Sequence, residues 1–502
     1  LNIRRNVTVA NLNSTEVTRA AELDDEMRAS IEASLEASEN AGEPATLGWP
    51  WTVLPRQVFG IHRETVRKRL VPLAGKGALA IIDQGLISGS NFALSILLAR
   101  WLGADQYGAY AVAFGIFVLL SLVYQALVLE PMAVFGGSSY HHCLKQYLST
   151  LLRIHLVISI SLCIILGISA FALHGLSHTG GLAGAMAGVT IASPCVLVFG
   201  LARRMFYLEL SPAEAAAGSF IYCCLIMAAL FIAFHRGLLS PFTAFLFIAI
   251  GACGTGVAMW IRMRAKLPPG DPGPSLAETW SRHWGYGRWA LASSVAGWIP
   301  ANIYYPLISS FHGMAASGQL KALMNLTLPL EQVKAALSML FLPYAARVAA
   351  RKGASGPTAL SAQMTALAFA GAAVYWALIL PFPKQVFHMM YSGKYMDVVG
   401  LLPIVAVGSI VWSAAYGPAI ALRGMEAPDL VFKAFAVATV GSLIIGVPAT
   451  WYFGLKGAIW GGNLADFSSL IMVFVVLQRR LRQRATQTIM SETLVPEGGR
   501  PS

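Results

Sequence analysis

The chain has 502 residues, 56% of them hydrophobic and only 12% charged, with a formal net charge of +12. An ordinary soluble domain carries roughly 25% charged residues, so this chain lacks the polar atoms to coat two or three water-facing domains. Mean hydropathy of +0.62 excludes soluble, disordered and fibrous classes and leaves an all-α integral membrane protein. A sequence pI of about 9.5 would suggest nucleic acid in a soluble protein. In a membrane protein the same excess belongs to cytoplasmic loops, so no nucleic-acid partner is expected.

Residues 1–77 hold ten Lys/Arg and ten Asp/Glu, so the whole +12 lies in 78–502. This first stretch reads as a hydrophilic cytoplasmic extension with one polar helix across Ser14–Ser38. A basic cluster, Arg67, Lys68, Arg69 and Lys76, precedes the first apolar run and predicts that the N-terminus stays inside.

Runs of about 20 apolar residues cross a bilayer core. Twelve are expected in chain order: 78–101, 107–134, 147–173, 181–201, 214–235, 241–262, 284–309, 316–343, 358–381, 398–422, 430–453 and 456–478. The eighth is interrupted by Lys321, Glu331 and Lys334. With the N-terminus inside, the inside connections together with Arg479, Arg480, Arg482 and Arg484 of the basic tail 479–502 carry 17 Lys/Arg. Outside there are four, Arg236, Lys384, Lys394 and Lys456. That bias predicts twelve spans with both termini cytoplasmic. The hydrophilic connection 263–283 divides the spans into a bundle over 78–262 and another over 284–478. Six is an even number, so a repeat between them is parallel, about an axis along the membrane normal. Gly103, Gly108 and Pro131 in the first half recur at nearly the same spacing as Gly313, Gly318 and Pro343.

The stretch Leu97–Val112, LLARWLGADQYGAYAV, resembles the signature of the Wzx-type oligosaccharidyl-lipid flippases. These form a branch of the multidrug/oligosaccharidyl-lipid/polysaccharide exporter (MOP) superfamily. The matching residues are Ala99, Arg100, Leu102, Gly103, Tyr107, Gly108 and Tyr110. Gly454, Leu455, Lys456, Gly457 and Ala458 match at the last outside turn, and Leu342 and Pro343 at the end of span eight. The extension 1–77 departs from the family plan. The resemblance implies a MATE-like fold of twelve transmembrane helices in two bundles. It also implies flipping of a polyprenyl-pyrophosphate-linked oligosaccharide, a lipid-linked anionic glycan, from inner to outer leaflet of the bacterial cytoplasmic membrane. Alternating access through a central cationic cleft would serve polysaccharide biosynthesis alongside polymerase or assembly proteins.

Ionisable residues within spans are the candidate sites. Arg100, Arg153, Arg288, Lys321 and Lys334 are the candidate substrate-binding cations. Arg100, Arg153, Arg288 and Lys321 lie near span ends, where snorkelling to the interface competes with cleft lining. Glu331 and Lys334 share a helix face at i, i+3, either as a self-neutralising pair or with Lys334 turned to a phosphate. Asp83, followed by Gln84, Ser88, Ser90 and Asn91, is a candidate coupling site for a proton or sodium ion. Its competing reading is a structural acid paired with Arg or Lys. Asp466, beside Asn463, and Glu331 are the other candidate coupling acids.

Six cysteines without metal-ligand spacing read as small apolar residues, and no metal or cofactor is expected. A multidrug cation antiporter of the same superfamily is the first alternative and would favour an acidic cleft. The other is a membrane enzyme, a polysaccharide polymerase or ligase. The longest outside connection, 383–397, holds one His, His388, and one acid, Asp397, without paired carboxylates, so the chain is not expected to be an enzyme.

Overall fold

The computed structural model describes residues 63–493 except 138, 176–180, 210, 268–271, 352–354 and 426. The polar helix expected across Ser14–Ser38 lies outside the described residues, as does most of the N-terminal extension. Among the described residues there are helices and turns but no strand, and all the packing below lies within Pro72–Ser502.

In the first half the helices are α1 (Arg63–Trp101), α2 (Ala104–Tyr124), α3 (Glu130–Gly137), α4 (Leu144–His174), α5 (Leu182–Leu208), α6 (Pro212–His235) and α7 (Pro241–Lys266). A single π-helical turn, Gln125–Leu129, joins α2 to α3. The second half contains α8 (Leu276–Asn302), α9 (Tyr304–His312), α10 (Met314–Met324), α11 (Leu328–Arg351) and α12 (Ser355–Ile379). It continues with α13 (Pro383–Tyr391), α14 (Leu402–Ala414), α15 (Tyr416–Gly424), α16 (Pro428–Phe453) and α17 (Leu455–Thr493).

Helix starts follow local chemistry. Pro212, Pro241, Pro383 and Pro428 occupy first helical positions, where the missing N–H costs nothing. Ser240 and Thr243 close a reciprocal capping box on α7, and Ser275 caps α8 by accepting from Glu278 N–H. At Gly313 and Gly454 the backbone adopts φ of 88° and 57°, which glycine tolerates without a Cβ penalty.

Ten of the helical stretches are long and apolar enough to cross a membrane. They match the expected spans one to six and nine to twelve, and mark a multi-pass membrane protein. The expected seventh and eighth spans are helical but broken, into α8 and α9 and into α10 and α11. Charged side chains and short interruptions keep them out of the ten. Apolar residues stay exposed around the outside, with Phe171 at 83% and Leu378 at 71%. That surface suits lipid and would be costly in water.

Prolines inside helices free the carbonyl four residues earlier, and in four cases a side chain from another helix takes it up. Pro194 frees Thr190 C=O, which accepts from Cys163 Sγ at 3.5 Å. Pro300 frees Ala296 C=O for Thr439 Oγ1 at 3.1 Å, and Pro418 frees Ala414 C=O for Thr365 Oγ1 at 3.3 Å. Pro131 frees Leu127 C=O within the π-turn, and His283 Nδ1 lies 2.9 Å from it. His283 is fully buried, with Tyr147 Oη 2.8 Å from its Nε2. Carbonyl acceptance fixes Nδ1 as the protonated nitrogen, so Tyr147 donates to Nε2.

These contacts give α8 two allegiances. Its first turns bond to the first half through His283 and through Tyr140 to Glu278. Gly287 packs on the π-turn, where a Cβ would lie 2.5 Å from Ala126 C=O. Further along, Ala296 bonds to α16 of the second half.

The glycines that suggest a repeat meet one another. Gly103 and Gly108 precede Gly313 and Gly318 by 210 residues each. A Cβ on Gly108 would lie 1.8 Å from Met314 C=O, and one on Gly318 would lie 2.6 Å from Ala104 C=O. Ala104 and Met314 are themselves 210 residues apart, so the contact is reciprocal, as about a twofold axis. Asp105 Oδ1 also accepts from Ala315 N–H at 3.0 Å. Thus α2 and α10 cross backbone to backbone at the end where α1 turns into α2.

Candidate substrate cleft

Lys321 lies on α10, three residues beyond the glycine crossing. Its side chain is buried, 8% exposed, yet meets no carboxylate within ion-pair distance among the described residues. Its Nζ sits instead 5.0 Å from the ring centre of Phe114, on α2, and 5.6 Å from that of Tyr305, on α9. Ring faces attract a cation but do not neutralise it. One turn back on the same face, Ser317 Oγ is buried without a hydrogen-bond partner among the described residues. Two donors without an acceptor, between elements of both halves, form a local environment complementary to an anion.

A second cluster lies further along. Lys334 Nζ donates to Glu331 Oε1 at 2.7 Å and lies 5.5 Å from the ring centre of Trp412, while Trp412 Nε1 donates to Glu331 Oε2 at 3.4 Å. Asp466 is half-buried on α17. The structure therefore brings two of the predicted residues, Glu331 and Lys334, into one group with Trp412. Ser88 of α1 reaches the same stretch, donating to Gln332 Oε1 at 2.6 Å. Here Lys334 is neutralised by its own helix, and Lys321 is not.

Asp83 is fully buried and engaged. Arg203 donates to its Oδ2 through Nη2 at 2.7 Å and Nε at 3.2 Å, Tyr207 donates to the same oxygen, and Ser219 donates to Oδ1. All four groups belong to α1, α5 and α6 of the first half. The 17 inside charges counted from the sequence include Arg203, which is no loop residue, because α5 continues to Leu208 and carries it into the bundle. Asp83→Asn, which leaves Arg203 without its counter-charge, is expected to destabilise the protein by about 3–5 kcal/mol. Asp83→Asn with Arg203→Met is expected to recover most of that loss, measured by thermal unfolding in detergent. An equal loss in the double variant would contradict the pairing.

Arg100, Arg153 and Arg288 are exposed, Arg100 at the end of α1, Arg153 in the third turn of α4 and Arg288 midway along α8. The buried positions go to Lys321 and Lys334. The sequence reading missed Ser317, Trp412 and the buried group in which Tyr107, named there only as part of the signature, joins Ser95, Asn325 and Tyr391. In that group Ser95 and Tyr107 hydroxyls both bond to Asn325 at 2.9 Å, tying α1 and α2 to the α10–α11 junction. The i, i+4 spacing of Ser317 and Lys321 is a sequence signal. Trp412 and Asn325 carry none. Among the described residues no group of three metal-ligating side chains occurs.

No protein-family model matches this sequence, and no curated protein matches it. Solved structures do. An inward-facing multidrug resistance MATE family transporter of the MOP superfamily superposes with a TM-score of 0.69. The match covers 81% of this chain and 99% of that one, at 13% sequence identity. The chain has the MATE-like fold. The same fold gives a TM-score of 0.61 with the lipid II flippase MurJ in an inward closed conformation, over 84% of this chain and 90% of that one at 11% identity. A MOP superfamily transporter from Pyrococcus furiosus, described by the reverse polarity of its binding pocket, gives 0.59 over 82% and 96% at 13% identity. In a MATE-like frame Phe114 and Tyr305 come from opposite halves, and Lys321 lies between them.

Proposed function

We propose that this protein is a transporter that moves a polyprenyl-pyrophosphate-linked oligosaccharide from the inner to the outer leaflet of a bacterial cytoplasmic membrane. The two six-helix halves rock about the glycine crossing, with both termini cytoplasmic and the α1–α2 turn outside. The observation that carries this reading is Lys321, a buried ammonium between the halves that meets no carboxylate among the described residues. A buried charge costs several kcal/mol unless paired, and a pyrophosphate supplies that partner when it enters. Resemblance to the Wzx-type flippases in Leu97–Val112 and the shared fold with MurJ support a lipid-linked cargo.

Glu331, Lys334 and Asp466 form the coupling group in this reading. An entering phosphate competes with the Glu331 carboxylate for Lys334 and so gains a second cation. Asp83, with its oxygens already engaged, serves the structure of the first half. A multidrug cation would need free negative charge in the cleft, whereas Glu331 is held by Lys334 and Lys321 is positive. Polymerase or assembly proteins are the partners this activity would feed.

Moving two negative charges outward through a potential negative inside releases roughly 2.3 kcal/mol per charge per 100 mV. In proteoliposomes the full-length protein is expected to translocate a fluorescent polyprenyl-pyrophosphate-linked glycan, more slowly once the potential is collapsed with ion gradients retained. An unchanged rate would rule out the potential as a drive, and no translocation at all would rule out the reading.

A further inference from the structure

The segment that follows α13 holds an unusual concentration of strain. Ser392, Gly393 and Tyr395 all adopt left-handed backbone, with φ of 53°, 85° and 61°. For serine and tyrosine that region is disfavoured by the Cβ. Such conformations persist only where surrounding contacts over-determine them. The contacts here are specific. Lys394 Nζ donates to Leu102 C=O at 2.8 Å, so a cation from the second half sits on the carbonyl end of α1 in the first. Lysine there is favoured both by the unpaired carbonyls and by the helix dipole. Tyr395 packs its ring 6.2 Å from Tyr107 of α2 and 5.5 Å from Tyr391, but its hydroxyl is buried without a partner among the described residues. On its own half the segment is fastened by Gln319 to Asp397 at 2.6 Å and by Tyr391 to Ala322 C=O at 2.8 Å.

We propose that Ser392–Leu401 is a strap that holds the α1–α2 end shut, with Lys394 as its catch on α1 and Tyr395 as the residue that keeps the closure reversible. Closed, the strap gains the Lys394–Leu102 bond and the Tyr107–Tyr395 contact. It also carries two strained residues and a hydroxyl without a partner. Open, it loses the catch, while Tyr395 relaxes and its hydroxyl meets water. The two sides offset one another, as a reversible closure requires. The inference rests on the reading that the halves separate at this end, but its test needs no transport.

The test measures distances by pulsed electron spin resonance in nanodiscs. Spin labels are placed through Arg236→Cys and Lys456→Cys, exposed positions at this end of each half and outside the strap, with the six native cysteines replaced. Lys394→Met is expected to add a longer-distance population, and Lys394→Arg to restore the parental distribution. Tyr395→Phe deletes only the unpartnered hydroxyl and is expected to shift the population the opposite way, toward the short distance. Opposite signs at adjacent residues separate a catch from general loosening, which would lengthen the distance in both variants. Lys394→Met matching the parent, or both variants shifting alike, would overturn the strap. The alternating-access reading would survive that result if a longer population still appeared on adding farnesyl pyrophosphate, and would fail if none did.

Discussion

Replacing Lys321 with methionine is expected to cut transport of a pyrophosphate-linked lipid by about 30-fold or more while leaving the protein at least as stable as its parent. The two effects have one origin. Methionine keeps most of the buried stem against Phe114 and Tyr305, so packing survives. It also removes an ammonium that meets no carboxylate among the described residues, so the cost of burying that charge disappears. Losing one partner of a desolvated charged contact costs about 2–5 kcal/mol of binding, and each 1.4 kcal/mol is about tenfold. A residue kept for packing alone would lose stability when changed. Gaining stability while losing activity is the pattern of a site held uncompensated for its ligand. Rates of lipid translocation and thermal unfolding of the same preparation measure both. A parental rate together with a lowered melting temperature would assign Lys321 to packing.

Gly108→Ala is expected to be among the most damaging single-methyl additions, costing about 3 kcal/mol. The added carbon would lie 1.8 Å from Met314 C=O and 3.1 Å from Gly318 N. Both are backbone atoms, which cannot swing aside as a side-chain tip can. Relief therefore means pushing α2 and α10 apart along their length, where Asp105 bonds to Ala315 and Phe114 faces Lys321. Gly318→Ala, 2.6 Å from Ala104 C=O, is expected to act similarly. Gly103→Ala is the control, because nothing lies within 4 Å of a Cβ there and its φ of −66° suits any residue. It should stay within about 0.5 kcal/mol of the parent. Unfolding in detergent micelles compares all three, and equal losses at Gly103 and Gly108 would contradict the crossing.

Much of this architecture is legible before the fold is known, because a bilayer imposes a length rule that short-range sequence satisfies. Among the described residues, ten of the expected runs form helices long and apolar enough to cross a membrane. The seventh and eighth are harder for the same reason, since the residues that interrupt them, Arg288, Lys321, Glu331 and Lys334, break the apolar pattern. The Gly103/Gly108 and Gly313/Gly318 spacing announces a repeat, yet only the three-dimensional structure shows that the repeats touch through those glycines.

Prolines behave alike. Pro131, Pro194, Pro300 and Pro418 each declare a freed carbonyl, and nothing local says that His283, Cys163, Thr439 and Thr365 will take it. The polar residues that follow Asp83 in sequence suggest an ion site among neighbours. Its partners are Arg203, Tyr207 and Ser219, at least 120 residues away. Glu331 and Lys334 pair at i, i+3 because helix geometry makes that contact local, whereas Trp412 joins them only through packing.

Translocation of a polyprenyl-pyrophosphate-linked glycan by purified protein in sealed vesicles, comparing the parent with Lys321→Met and Lys334→Glu, tests the account most directly. The parent is expected to flip the lipid. Lys321→Met is expected to fall by about 30-fold or more, and Lys334→Glu to insert normally yet lose activity. A Lys321→Met protein as active as its parent, or a parent that moves a cationic dye but not the anionic lipid, would contradict the central claim.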